Sequence, residues 1–377
     1  MLDTSDTSGD YQTAAAIRTP NVLMMAAGTG GHVFPALAVS EELTQRGAII
    51  HWLGTPNGME NGLVKPAGYM MHPIAMQGLR GKGVGRLFKM PVTLLSATMA
   101  AVKIIRSNQI DMVVGFGGYV SAPGGIAARI TGTPLIIHEQ NAIAGMSNRY
   151  LAKISTKVLQ AFENTFANGQ LSNKLETVGN PVRNAITGVA APSTRYDVND
   201  TAPLRLLVVG GSLGAQVLND NVPKALALMD VPFEVRHQCG RNNEAATQTA
   251  YDSENLSRHQ FTVQPFIEDM AAAYKWADII VCRAGALTVT EIQNVGIAAI
   301  FVPLPHAVDD HQTANARTLT SQGAAILLPQ TELTPSRLRD ELAKLDRHRC
   351  LEMAQKGHAL ANRSASKQVA DIIWQTL

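Results

Sequence analysis

Cysteine is scarce. Cys239, Cys282 and Cys350 are widely spaced and odd in number, which excludes a disulfide framework and a metal-ligand pattern. A reducing, cytoplasmic setting is the simplest expectation. Aromatic residues make up only 5% of the chain, and no series of them is interleaved with the basic residues, so nucleic acid is not an expected partner. Long hydrophobic runs are missing as well. The longest uncharged apolar stretch, Met90 to Val102, is too short to span a bilayer. Residues 1–20 carry Asp3, Asp6 and Asp10 and have no apolar core, so they read as a disordered tail, not a secretory signal. Acid is absent between Glu60 and Asp111, where seven Lys or Arg residues fall. Residues 21–160 hold 12 basic and 5 acidic side chains, and residues 161–377 hold 19 and 22. The net charge of +2 thus hides one basic region with its own partner.

What is present is organised around residues 22–46. The apolar run Val22 to Ala27 ends in Gly28-Thr29-Gly30-Gly31, and a helical pattern begins at once. Pro35 is expected in the first helical turn and Gly47 just past the helix end. Strand, glycine turn and helix form the opening unit of a doubly wound α/β domain, with an anion site where the helix starts. The unit is not a dinucleotide fingerprint, because Val33 takes the third glycine position; nor is it a P-loop, because no Gly-Lys-Ser/Thr follows. A tight strand–helix turn is the plainer reading of the glycines alone. His32 places a titratable side chain on the rim of the loop.

The alternation continues with strands at Ile49–Leu53, Met112–Val114, Leu135–Ile137, Lys157–Gln160 and Glu176–Val178, and with a helix start at Gly124-Gly125. Residues 187–203 have no periodicity and read as including surface loop. The opening theme then returns: strand Leu204–Val209, turn Gly210 to Gly214, helix Ala215–Met229. Strands at Phe233–His237, Phe261–Val263, Ile279–Val281, Ala299–Val302 and Ala325–Leu328 follow, with helices at Asp269–Trp276 and Leu287–Val295 and a last one at Lys367–Trp374. At 377 residues two domains are expected, α/β in class, each Rossmann-like with a parallel sheet, facing each other across a cleft.

Three stretches carry further chemistry. Small residues at Cys282 to Ala286 let a helix start approach a ligand, and Glu291 suits ribose hydroxyls; Thr288-x-x-Glu291 equally matches a capping box. His306 to Asn315 clusters two histidines and two aspartates, but Gln312 and Asn315 lie one turn apart and suit sugar hydroxyls, so no metal is assigned. Gly78 to Met90 is basic and glycine-rich and leads into an apolar helix. Leu87 and Phe88 among Arg80, Lys82, Arg86 and Lys89 suit an anionic membrane surface, or else a solvated loop before a core helix.

With these pieces placed, the chain resembles the MurG family, the bacterial N-acetylglucosaminyltransferases that convert lipid I to lipid II. The resemblance rests on Gly28 to Pro35, Gly78 to Gly83, Gly117 to Ser121, His138 to Asn141, Gly179 to Arg183, Gly210 to Ser212 and Ala286 to Glu291, in the family's order over almost all of residues 21–375. It implies a GT-B fold, UDP-N-acetylglucosamine as donor, undecaprenyl-diphospho-muramoyl-pentapeptide as acceptor, inversion at the anomeric carbon and no cofactor. It also implies a peripheral seat on the cytoplasmic face of the inner membrane and partnership with cell-wall synthesis complexes. Carried over by motif, the donor contacts are Thr29, Gly30, Gly31, Asn141, Arg183, Ser212, Ile267, Ala286, Leu287, Thr288, Val289, Thr290, Glu291 and Gln312. The last helix would return to the first domain, dividing the chain into 21–182 plus about 362–377 and 183–361.

The chemistry agrees with this resemblance. An acceptor hydroxyl must lose a proton while a diphosphate leaves. His32 is the candidate base and Glu139 the runner-up or an orienting partner. The leaving group would be held by the Ser212 loop and the Ala286 to Thr288 helix start. No Asp-x-Asp, the metal-chelating pattern of sugar-nucleotide enzymes of the other major fold, is present. A UDP-sugar 2-epimerase of the same fold and a non-catalytic UDP-sugar-binding membrane scaffold remain as alternatives.

Overall fold

The computed structural model describes residues 18–76, 84–166, 171, 173–305 and 310–377, with residues 84–89 described as backbone only. Its strands form two sheets whose neighbours all run parallel. The first holds β1 (Asn21–Ala26), β2 (Ile49–Gly54), β3 (Met70–Pro73), β4 (Met112–Gly117), β5 (Leu135–Glu139), β6 (Lys157–Gln160) and β7 (Leu175–Thr177), in the order β3-β2-β1-β4-β5-β6-β7. The second holds β8 (Leu204–Val209), β9 (Phe233–Gln238), β10 (Gln260–Gln264), β11 (Ile279–Cys282), β12 (Ala298–Phe301) and β13 (Ile326–Leu327), in the order β10-β9-β8-β11-β12-β13. In each sheet the winding reverses beside the first strand, between β1 and β4 and between β8 and β11. A crevice opens there at the carboxyl ends of the strands.

Both central strands are buried on two faces over most of their length, which is why Val22 to Ala26 and Leu206 to Val209 read as apolar runs. Val22, Met24 and Ala26 of β1 pack with Val33, Val39 and Leu43 of the helix Gly30–Gln45. On the same side lie Val369, Ala370 and Ile373 of the last helix, Ala365–Thr376. Leu23 and Met25 face Ala101 and Ile105 of Val84–Ser107 and Ala127 of Ser121–Thr131. In the second sheet Leu206 and Val208 meet Leu218 and Val222 of Gln216–Ala227, and Leu207 meets Val289 and Ile292 of Ala286–Val295.

Several local expectations are corrected. β3 is an additional edge strand, paired to β2 through His51–Met70 to Gly54–Pro73. Pro35 lies inside the helix Gly30–Gln45, beyond its first turn, because the helix begins directly in the glycine loop. His32 is therefore a helical residue of that first turn. The helix after β4 begins at Ser121, so Gly124 and Gly125 are helical and do not start it. Their role is close approach: a Cβ on Gly124 would stand 2.2 Å from the Met25 sulfur, and one on Gly125 2.5 Å from Leu151. Residues 187–203 include the short helix Pro192–Arg195, and Tyr196 is buried, its hydroxyl donating to the Asp278 carbonyl at 2.6 Å. The helix after β11 starts at Ala286 with Gly285 as its cap, and no side chain caps it. The capping-box alternative for Thr288 and Glu291 therefore falls.

Candidate active site

The carboxyl ends of β1, β4 and β5 bring three glycine-rich or polar turns together. Gly28 and Thr29 are exposed, while Gly30, Gly31 and His32 are half-buried in the first helical turn. The His32 ring lies against the bare backbone of Gly117, whose φ is +110°; a Cβ there would stand 2.6 Å from the ring nitrogen. His32 Nδ1 is 3.0 Å from Gln140 Oε1. Beneath the loop sits Glu60, fully buried, whose carboxylate accepts from Gly28 N at 3.4 Å and from the amide and hydroxyl of Thr55 at 2.8 Å.

Glu139 ends β5 and is also buried. One oxygen accepts from the Asn141 amide and the Asn141 side chain, each at 3.0 Å. The other accepts from Gly145 N at 3.0 Å and Asn148 Nδ2 at 2.8 Å. Four donors on one carboxylate hold the turn that follows β5 in shape.

Across the crevice, the turn after β8 carries Ser212, exposed, and is held from below by Gln238, which bonds both the amide and the carbonyl of Gly211. Ile267 is buried at the edge of the helix Met270–Trp276. On the helix Ala286–Val295, Ala286, Val289, Thr290 and Glu291 are buried, and Leu287 and Thr288 are half-buried. Glu291 accepts from Tyr274 Oη at 2.9 Å and pairs with Arg183 at 3.4 Å. Burial pushes its carboxyl up, against the pull of the Arg183 guanidinium. Arg183 also lies 4.4 Å from the ring centre of Phe34 in the first domain. Gln312 Oε1 accepts from Leu304 N at 2.9 Å.

Two amide side chains join the halves. Asn315 accepts from Ala142 N at 2.8 Å and donates to Asn141 Oδ1 at 3.3 Å and to the Ala284 carbonyl at 3.2 Å. Asn180 Nδ2 reaches the Gln140 carbonyl at 3.0 Å and Thr290 Oγ1 at 3.1 Å. The turn at residues 140–142 is thus joined to Thr290 of the helix Ala286–Val295 and, through Asn315, to the Ala284 carbonyl just before it, with His32 bonded to the Gln140 side chain. Arg80 and Lys82 lie outside the described residues, as do the side chains of Arg86, Leu87, Phe88 and Lys89, and residues 306–309. Glu60, Gln140, Asn180 and Tyr274 are contributors that the motifs did not single out. Only Gln140 and Asn180 stand inside recognised stretches, and no spacing rule marks either.

The described residues contain no helix long and apolar enough to cross a membrane. Residues 22–160 match the model of the glycosyltransferase family 28 N-terminal domain, and residues 205–373 match that of the C-terminal domain. A relative from Psychrobacter arcticus is 82% identical over 96% of this chain and 100% of its own length. The chain belongs to glycosyltransferase family 28. This Psychrobacter member is named UDP-N-acetylglucosamine--N-acetylmuramyl-(pentapeptide) pyrophosphoryl-undecaprenol N-acetylglucosamine transferase. A member of the same name from Acinetobacter baylyi is 50% identical over 96% of this chain and 98% of its own. The crystal structure of Acinetobacter baumannii MurG superposes with a TM-score of 0.81 at 44% identity, covering 94% of this chain and 99% of that one. Family 28 membership and the paired parallel sheets make this a GT-B glycosyltransferase.

Proposed function

We propose that this chain transfers N-acetylglucosamine from UDP-N-acetylglucosamine to the 4-hydroxyl of undecaprenyl-diphospho-N-acetylmuramoyl-pentapeptide, with inversion. One observation carries the chemistry: a half-buried imidazole, His32, on one domain is tied through Gln140 and Asn180 to Thr290, in the second turn of the helix Ala286–Val295 of the other, whose start no side chain caps. His32 takes the proton of the attacking hydroxyl. The departing diphosphate lies at Ala286 to Thr288 and the Ser212 turn, where helix dipole and backbone amides offset its growing charge. Glu139, with four donors already on it, orients the Asn141 turn and does not serve as the base.

In this reading Thr29, Gly30, Gly31, Asn141, Arg183, Ile267 and Gln312 complete the donor site, and Glu291 takes the ribose hydroxyls. The domains divide as 21–182 plus about 362–377, and 183–361. Packing of Val369 and Ile373 beside β1 supports that division.

The acceptor is a lipid, and the helix Val84–Ser107 suits a membrane face. Val92, Leu95 and Met99 are 71%, 64% and 59% exposed, with Lys103 and Arg106 also exposed on the same helix. Apolar side chains beside cations favour an anionic bilayer surface. Peripheral binding to the cytoplasmic leaflet follows, with cell-wall synthesis complexes as partners there.

Incubation of the pure protein with labelled UDP-N-acetylglucosamine and a lipid I analogue tests the reading. A β-linked glycolipid product is expected. Release of the 2-epimer alone, or binding without turnover, would replace it with an epimerase or a scaffold.

A further inference from the structure

We propose that Gln140 and His138 are positioning residues that set the tautomer of His32, placing its proton on Nδ1 and leaving Nε2 as the basic nitrogen. The assignment follows from hydrogen-bond bookkeeping that starts at a backbone carbonyl. His138 Nε2 is 2.9 Å from the carbonyl oxygen of Gly179, a pure acceptor, so Nε2 carries a hydrogen. His138 is fully buried and stacked on Phe116 at 5.3 Å between ring centres. Burial lowers its pKa to about 4, so at neutral pH it holds one proton, already given to Gly179. Its Nδ1 is therefore an acceptor.

The Gln140 side-chain nitrogen lies 3.1 Å from that Nδ1 and 3.0 Å from the His138 carbonyl. Two acceptors face this end of the carboxamide, which must be the NH2 group. The oxygen end then faces His32 Nδ1 at 3.0 Å, and only a protonated Nδ1 satisfies it. Which imidazole nitrogen is basic is decided by the bond the other one makes.

The relay is held in place from both sides. Gln140 is buried, and its carbonyl accepts from Asn180, which also reaches Thr290. The Gly117 backbone closes one side of the His32 ring. The catalytic consequence rests on His32 being the base proposed above, whereas the tautomer itself does not.

The test uses the full-length protein with ¹⁵N-labelled histidine. Two-bond ¹H–¹⁵N correlations near pH 7.5 report each tautomer, and the His32 signals are identified by their loss in His32→Ala. The expected result is an Nδ1–H signature for His32 and an Nε2–H signature for His138. An Nε2–H signature for His32 in the wild-type protein overturns the proposal without recourse to any variant. Gln140→Met, similar in shape but without hydrogen-bonding groups, should shift His32 away from Nδ1–H and lower kcat by about tenfold or more. Both substrate KM values should stay within about twofold. Retention of the Nδ1–H signature and of kcat in Gln140→Met would also overturn it. If the signatures are as expected but His32→Ala keeps its kcat, the base reading fails and the tautomer assignment stands.

Discussion

The two halves of the chain share one topology and differ beneath their glycine turns. In each, the first strand of the sheet ends in a turn that opens a helix, and the winding reverses beside it. Under the first turn lies a buried carboxylate, Glu60, bonded to Gly28 N. Under the second lies a neutral amide, Gln238, bonded to Gly211. A carboxylate repels a phosphate, and an amide does not. The fold therefore offers two similar walls, and the charge below each turn supports the proposed seating of the diphosphate on the second. The first wall keeps instead a titratable ring, His32. Topology supplies the walls, and one buried side chain under each turn makes them electrostatically different.

The comparison is broken most sharply at His32. His32→Ala should lower kcat by roughly 10²–10⁴-fold with substrate KM values largely kept, and should abolish the acidic limb of the pH–rate profile. Glu139→Gln should keep that limb and instead reduce thermal stability, since a neutral amide cannot accept from all four donors. The opposite pattern in the pH profiles moves the base to Glu139.

Ile373→Ala removes a fully buried side chain that packs beside β1, far along the chain from the first domain's own sequence. It should cost about 2–5 kcal/mol. In a two-step denaturant curve the loss belongs to the transition reported by Trp52, buried in the same core. Loss confined to the other transition would assign the last helix to the second domain.

Each half also buries a neutral histidine. His138 is held at a pKa of about 4 and His237 at about 3, both by desolvation. An unfolded histidine titrates near 6.5, so between these values the unfolded chain binds more protons. The stabilisation is complete above about pH 6.5 and drains away as pH falls toward the folded values. For His138 the full swing is about 3 kcal/mol. Urea midpoints at pH 7.5 and pH 5 should show the drop, and His138→Gln and His237→Gln should each flatten it. A curve unchanged in either variant removes that residue from the account.

The smallest effect expected is on donor choice. Gln312→Ala should weaken discrimination between UDP-N-acetylglucosamine and UDP-N-acetylgalactosamine by about 1–3 kcal/mol, the cost of one lost specific hydrogen bond. Unchanged selectivity takes Gln312 out of the sugar site.

What was legible in the sequence follows the physics of burial. β6 and β8 have the bounds read from the sequence, because each centres on buried apolar residues, Val158-Leu159 and Leu206 to Val208, that a strand covered on both faces requires. β3 escaped because Met70-Met71-His72-Pro73 is a short edge strand, where burial imposes no such pattern. Gly124 and Gly125 look like a helix start in the sequence, whereas their missing side chains make room for Met25 and Leu151. That requirement is tertiary and leaves no periodic trace. Among the site residues, His32 and Glu291 stand beside glycine turns and announce themselves. Glu60, Tyr274 and Gln140 act through contacts with distant or unpatterned neighbours that only the folded chain brings together.

In the proposed division the chain passes between the two domains near residue 180 and again near residue 362, and these passages touch. Asn362 Nδ2 donates to the Val178 carbonyl at 2.8 Å, and its Cβ would lie 3.2 Å from a Cβ on Gly179. Two adjacent pins define a single axle. Of the three rotations open to a body on one tether, a body on two neighbouring tethers keeps chiefly the swing about the line joining them. Under that division, any opening between the domains would follow chiefly this one swing, and the walls would meet again in the same register.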